Sequence, residues 1–414
     1  MAVGMTRRNI LQTGAMLPAL GGALSAASAR SAPGTMLPDK ASFDPMPVAY
    51  LDSGTMHPIA IGARKAVLHY LNARDGGPGS YPTDEVETRV KANFARLINA
   101  APAELAFVQS TTAGEQLVIE ALDIPRSGGR IVTDTLHFFG SFYLYEELAR
   151  QGMDVAWVRP KGNRIAIEDM ERAITDGTRL VSLSLVSTYN GFEHDLKRVC
   201  EIAHAKGALV YADIIHAAGA VPVDVRAANV DFAASASYKW LMGDFGLGFL
   251  YARADLHDRL KRPQYGYYQL ARFTSHVYPY DPPGDTIADC APRDDMEGMF
   301  AMGTRSHTVL AQLDWSLAYI LGLGVDRIMR HRMPMLERLH EELPRRGYRV
   351  VTPRDCRASL LTVAYEGARE RLAGPLEAGK VKITLMRNRF RICPSVFNDM
   401  ADIDRLLDAL PRHV

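Results

Sequence analysis

The sequence predicts an α/β protein: a mainly parallel sheet covered by helices, followed by a smaller C-terminal α/β domain. Three observations carry this expectation. Strand-like and helix-like runs alternate through the first two thirds of the chain, the pattern of repeated strand–helix–strand units. Several strand-like runs, among them RLVSLSLVS at 179–187 and ALVYADII at 208–215, are apolar nearly throughout, as strands buried on both faces are. From HTVLAQLDWSLAYILGLG at 307–324 onward the order becomes helix, helix, strand, strand, helix, which marks a second and smaller unit.

The elements follow in order. The first 29 residues combine Arg7 and Arg8, a mild apolar stretch and the small-residue site Ala27-Ser28-Ala29. This resembles a cleavable twin-arginine (Tat) export signal. The apolar run falls short of the ~20 residues a membrane span needs. Export would place the mature chain in the periplasm, with the Tat machinery as a transient partner and no stable membrane association. Residues 30–47 read as a linker, 48–305 as a large domain and 306–414 as a small one. Within the large domain, ELAFVQS (104–110) is a strand and TTAGEQLVIEAL (111–122) a helix. GRIVTDT (129–135) is a strand and SFYLYEELARQG (141–152) a helix with a Gly stop. DLKRVCEIAHAKG (195–207) ends in the same way. Residues 261–303 break the alternation with an aromatic, Pro-rich run and then an acidic one; this reads as a long ordered excursion of the lid type.

The chain has 414 residues, 48 basic and 47 acidic, for a net charge of +1. That balance carries no nucleic-acid footprint, which needs a basic excess or stripe. The four cysteines, Cys200, Cys290, Cys356 and Cys393, lack metal-ligand spacing, and their positions leave open which, if any, pair.

Chemistry concentrates at strand ends. Lys239 sits in SASYKWLMGDFGLG, between small residues and an apolar run, where a lysine needs a reason to be buried. Asp213 ends an apolar strand, and His216 follows three residues later. In open parallel sheets, ligands bind just beyond the carboxyl ends of the strands. Ser110, Thr111 and Thr112 stand where a helix begins, a site suited to an anion. His137, Phe138 and Phe139 follow another strand. An anion cradle, an aromatic ring, a buried acid and a lysine are what pyridoxal 5'-phosphate (PLP) requires. MGDFGLG lacks the spacing of a nucleotide loop and reads as a tight turn.

On these motifs the chain, from about residue 48 to its end, resembles the class V aminotransferase family of fold type I PLP enzymes, which includes cysteine desulfurases, kynureninases and isopenicillin N epimerase-like enzymes. The resemblance implies a mainly parallel seven-stranded sheet between helices, and a homodimer. It implies that Lys239 is the Schiff-base lysine, that Asp213 faces the ring nitrogen and that His216 lies near the ring hydroxyl. Thr111 and Thr112 match the phosphate loop and Tyr238 a phosphate-binding tyrosine. Ser237 or Ser235 would add a phosphate contact, and Phe138 would stack on the ring, with His137 one place away. Thr304 would reach the neighbouring subunit's phosphate. Arg391, in RFRICPSVFND, would hold the substrate carboxylate through its planar fork. Asn190 and Arg305 are lesser candidates. Each residue alone has a plainer reading: Asp213 as a turn residue, Phe138 as core, Thr111 and Thr112 as part of a helix cap, Arg391 as a surface ion pair. Their occurrence together, in family order, carries the assignment.

One branch fits poorly. Desulfurases carry a nucleophilic cysteine shortly before the carboxylate arginine, and LAGPLEAGKVKITLMRNRFR (372–391) contains none. With the expected export signal, the chain resembles a periplasmic PLP enzyme of siderophore (pyoverdine) maturation. The alternatives are a kynureninase-like or epimerase-like enzyme of a small amino acid, and a non-catalytic PLP-fold binding protein.

Overall fold

The computed structural model describes residues 36–77, 79–301 and 303–412; the expected export signal lies outside the described residues. The centre of the fold is a seven-stranded sheet. Its strands are β1 (Leu105–Val108), β2 (Arg130–Asp134), β3 (Asp154–Val158), β4 (Thr178–Ser184), β5 (Leu209–Asp213), β6 (Phe232–Ala236) and β7 (Gly248–Ala252). They lie in the order β1-β7-β6-β5-β4-β2-β3, and only β7 runs against its neighbours. The predicted, mainly parallel α/β sheet is therefore present.

Burial explains the apolar runs. Successive side chains of a strand point to opposite faces. Val181, Val210, Ala233 and Phe249 pack into one core layer, while Leu180, Leu209, Tyr211, Phe232 and Leu250 pack into the other. Helices Thr111–Ala121, Phe139–Arg150 and Leu196–Ala205 connect the strands. Because β1, β2, β4, β5 and β6 share one direction, their carboxyl ends share one edge of the sheet. Ser110, His137, Thr188, His216 and Lys239 all follow those ends, so the topology alone gathers them.

In the C-terminal unit the second half of the helix Val325–Arg345 packs on a four-stranded antiparallel sheet, whereas the helix His307–Leu323, assigned by sequence to the small domain, buries Leu310, Leu313, Leu317 and Ile320 in the core of the large one. That sheet runs Arg349–Val350, Leu361–Ala364, Arg389–Ile392, Thr384–Leu385. The helix Ala368–Ala378 stands between its strands, where the sequence reads as strand after strand. Gly374 and Pro375 inside that helix disguise it as a turn. The edge strand β3 was also not separated in the sequence; its residues are only partly buried and give no continuous apolar run.

Other segments also differ in place from the sequence division. The strand Ala49–Tyr50, assigned by sequence to the large domain, pairs in parallel with Val381–Lys382. Ala49 and Leu51 share a core with Phe390 and Ile392, which carries residues 52–55 across to Arg391. The excursion 261–303 is no bare loop: Leu270–Ser275 and Ala288–Pro292 form an antiparallel hairpin. Tyr265, Tyr267, Tyr278 and Tyr280 are exposed on or near it. Among the described residues, no single helix is long and apolar enough to cross a membrane.

One glycine is fixed by this packing. Gly219 has φ of +88°, and a Cβ there would lie 2.5 Å from the Trp240 carbonyl oxygen. Gly219→Ala is expected to destabilise the protein by about 1–3 kcal/mol, because a left-handed backbone and a close backbone contact both resist the methyl group. Urea denaturation measures this; a loss below about 0.5 kcal/mol, the range of neutral surface changes, would contradict the packing account.

Candidate active site

Lys239 is 7% exposed. It follows β6 in a turn closed by hydrogen bonds from Met242 N to Lys239 O (3.0 Å) and from Gly243 N to Ser237 O (2.9 Å). Its Nζ lies 3.0 Å from His216 Nε2. Burial, and then the charge of Arg391, push the Lys239 amine down to about 8, with Asp213 opposing them. Burial, with Lys239 and Arg391 adding to it, holds His216 well below its ordinary value, so its ring is neutral. A neutral ring that accepts at Nε2 carries its proton on Nδ1. That Nδ1 is buried and, among the described residues, has no hydrogen-bond partner.

Asp213 is also buried. Its Oδ1 accepts from Ile215 N at 2.9 Å. Burial raises its carboxyl above the ordinary range, opposed first by His137 and then by the Ile215 N–H and Lys239. His137 is fully buried, with Nδ1 2.8 Å from Ser184 Oγ and Nε2 3.0 Å from Glu115 Oε1. Ser184 stands beside Asp213 in the β4–β5 register. Glu115 also accepts from Ser141 (2.6 Å), Tyr145 (2.6 Å) and Ser182 (2.8 Å). Burial pushes the His137 imidazole down, but Glu115 more than reverses this and raises it. A buried ion pair therefore lies next to the buried acid.

Arg391, on the strand Arg389–Ile392, is 4% exposed. Its Nη1 donates to Thr188 Oγ1 at 2.7 Å, and its Nη2 to Thr55 Oγ1 at 2.9 Å and Thr384 Oγ1 at 3.3 Å. Every one of these partners is neutral, and among the described residues Nε has none. Thr384 in turn donates to Asp52, so that acid is linked to Arg391 through a hydroxyl rather than bonded to it. A buried guanidinium without a carboxylate is costly; this geometry suits one that takes its carboxylate from a ligand.

The remaining candidates divide. Ser110 caps the helix Thr111–Ala121, its Oγ accepting from Ala113 N at 3.2 Å; Thr111 is half-buried and Thr112 exposed at the same helix start. Tyr238 is half-buried and stacks on Phe245, ring centres 4.3 Å apart, and the Lys239 amine lies 5.6 Å from its ring centre. Phe138 is half-buried and packs on Phe139 at 4.6 Å, while its neighbour His137 turns inward. The Ser237 and Ser235 hydroxyls donate to the carbonyls of Asp244 and Ala236. Thr304 is exposed. Asn190 bonds Asn163 O and Phe192 N, a loop-bracing role. The Arg305 side chain is buried between Glu87 and Glu297 and over Phe107, away from the site. Sequence reasoning missed Thr55, Thr188, Thr384 and Glu115.

The class V aminotransferase family matches residues 79–383, and the chain belongs to that family. A probable cysteine desulfurase of Methanothermobacter thermautotrophicus is 28% identical over 302 residues, covering 70% of this chain and 71% of that protein. The cysteine desulfurase IscS of Neisseria meningitidis is 29% identical over 226 residues, covering 52% of this chain and 56% of that protein, little more than half its length. Among solved structures, the Escherichia coli cysteine desulfurase CsdA superposes with a TM-score of 0.78 at 19% identity, covering 91% of this chain and 98% of that one. The cystine C-S lyase C-DES gives 0.75 at 17% identity, covering 87% and 96%. The fold is thus the fold type I PLP-dependent fold, and class V enzymes use PLP.

The residues present fit that cofactor. A lysine with a depressed pKa, a buried acid, an unpartnered imidazole Nδ1 and a helix N-terminus meet at one sheet edge. The depressed Lys239 is testable. In cofactor-free protein, an amine-reactive reagent should modify Lys239 with a pH midpoint near 8, where an unperturbed lysine titrates near ~10.4. Asp213→Asn removes a charge that raises the lysine and should move the midpoint lower. A midpoint above 10 by mass-spectrometric mapping would contradict the buried, cation-flanked amine.

Proposed function

We propose that this protein is a PLP-dependent enzyme that docks the carboxylate of an amino acid, free or peptide-linked, on Arg391 and works at the adjacent amine. The observation that carries this reading is the buried Arg391 guanidinium, held by three threonines with no acid bonded to it. Each residue has a task. Lys239 Nζ anchors the cofactor and, once displaced, takes and returns a proton, for which a pKa near 8 is suited. Asp213 offers a carboxylate to hold a proton at the cofactor's ring nitrogen, and His137 beside it opposes the upward push of burial on that carboxyl. His216 Nε2 positions the lysine amine, and its Nδ1–H offers a donor to a ring oxygen. The N-terminus of the helix Thr111–Ala121, with Ser110, Thr111 and Thr112, supplies N–H groups and hydroxyls for the phosphate, and Tyr238 flanks it. When bound, PLP supplies an electron-withdrawing ring that stabilises negative charge at the substrate's α-carbon.

The cysteines set this reading apart from persulfide-forming desulfurases. All four are free thiols. Cys393, the one beside Arg391, is fully buried, and burial pushes its thiol up to about 11. Cys290 is exposed on the hairpin; Cys200 is buried; Cys356 is half-buried and accepts a bond from Glu193 N. None is a ready thiolate at the site. The reading extends to a homodimer, with Thr304 and the aromatic hairpin facing the second subunit. It extends to Tat-dependent export to the periplasm and to a bulky, siderophore-like peptide substrate. The twin-arginine sequence and the exposed tyrosines of the excursion support those extensions.

The test is spectroscopic. Amino acids added to the holoenzyme should change the visible absorbance of the bound cofactor. Arg391→Gln should raise the concentration needed by about 100-fold, as expected for loss of a charge-assisted carboxylate pair worth ~2–3 kcal/mol. A change within twofold would remove Arg391 from the substrate site.

A further inference from the structure

Arg391 is not the only arginine on its strand without an acid. Arg389 stands two residues earlier, so alternation puts both side chains on one face of the strand Arg389–Ile392. Its guanidinium lies 4.6 Å above the ring of Tyr189, the residue after Thr188, which binds Arg391. Its Nε donates to Met386 Sδ at 2.7 Å, and among the described residues no carboxylate bonds it. Arg389 is half-buried. Burial lowers it from its ordinary value, and Arg391 lowers it further, with Tyr189 opposing. Tyr189 is itself stacked on Phe142, with ring centres 6.2 Å apart, so the platform under Arg389 is anchored to the helix Phe139–Arg150.

Two neighbouring guanidinium groups, both half-buried or more and neither holding a carboxylate, repel each other. A protein surface ordinarily answers such a pair with Asp or Glu. Here the neutral partners are three threonines, a methionine and a tyrosine. Strand residues two apart are separated by about 6.6–6.8 Å, a span that the two carboxylates of a four- or five-carbon diacid can bridge.

We infer that Arg389 is a specificity-determining residue that binds a second, anionic group of the substrate, so that the enzyme selects amino acids with an acidic side chain. This rests on the reading that Arg391 holds the substrate's α-carboxylate. Arg391 then fixes the reacting end, and Arg389, braced on Tyr189, fixes the side chain. Apolar and cationic side chains would leave Arg389 unpaired beside Arg391.

The experiment measures calorimetric dissociation constants of glutarate and of butyrate for the holoenzyme, for Arg389→Gln and Arg389→Lys, and for Arg391→Gln. Wild type should bind glutarate at least about tenfold tighter than butyrate, the gain of one charge-assisted pair of ~1.5 kcal/mol or more. Arg389→Gln should erase most of that gap by weakening glutarate far more than butyrate, Arg389→Lys should keep part of it, and Arg391→Gln should weaken both acids. Circular dichroism confirms that the variants are folded. Equal binding of the two acids by wild type, or a gap that survives Arg389→Gln, would overturn the inference while leaving Arg391 in place. If wild type binds neither acid, the Arg391 reading falls, and this inference falls with it.

Discussion

The site is governed by one electrostatic constraint: two buried cations with too few anions. Lys239 and Arg391 are nearly inaccessible, and their hydrogen bonds go to an imidazole, three hydroxyls and the Thr188 carbonyl. Breaking an ion pair in a protein interior by removing one partner costs ~3–5 kcal/mol. A fold that buries two such charges without direct partners leaves that energy for a ligand to recover. The constraint also sets protonation. Burial, with each cation adding to it, lowers Lys239 and His216, which makes Lys239 a usable base and keeps His216 neutral. Asp213 answers only part of the charge, and it is itself supported from behind by His137 and Glu115.

Meeting that constraint takes residues from the whole chain. The sheet supplies Lys239, Asp213 and His216 by aligning strand ends. The arginine comes from the C-terminal sheet, and its threonines come from three separate places. Thr188 follows β4, Thr384 lies on a strand beside Arg391, and Thr55 arrives because the strand Ala49–Tyr50 crosses to the C-terminal unit. The active site is therefore also the seam that joins the two units. Loss of the crossing strand would remove Thr55 and Asp52 from the site without touching a residue that performs chemistry.

What the sequence made legible follows from this geometry. Lys239 and Asp213 were visible because a charge at the end of an apolar run is anomalous within a dozen residues. The parallel sheet was visible for the same local reason: RLVSLSLVS has no polar face. Arg391 was visible only through its motif. Thr55, Thr188 and Thr384 were not visible, because each is an ordinary hydroxyl residue and their convergence depends on tertiary crossings. Glu115 reads as a solvent-facing helix residue until the His137 side chain reaches it from the next strand end. The choice of Phe138 over His137 turned on a single residue of register. That register decides which side chain enters the interior, and no local pattern encodes it. The helix Ala368–Ala378 was concealed by Gly374 and Pro375, whose local preference is overridden by packing of Leu372 and Leu376 into the C-terminal core.

The most direct test of the central claim is reduction of the purified protein with borohydride, followed by peptide mapping. The account predicts a visible absorbance band that reduction abolishes, with a pyridoxyl group recovered on Lys239 and on no other lysine. A protein that takes up no PLP, or one whose reduced label sits on a surface lysine, would contradict the assignment of the two buried cations to cofactor and substrate.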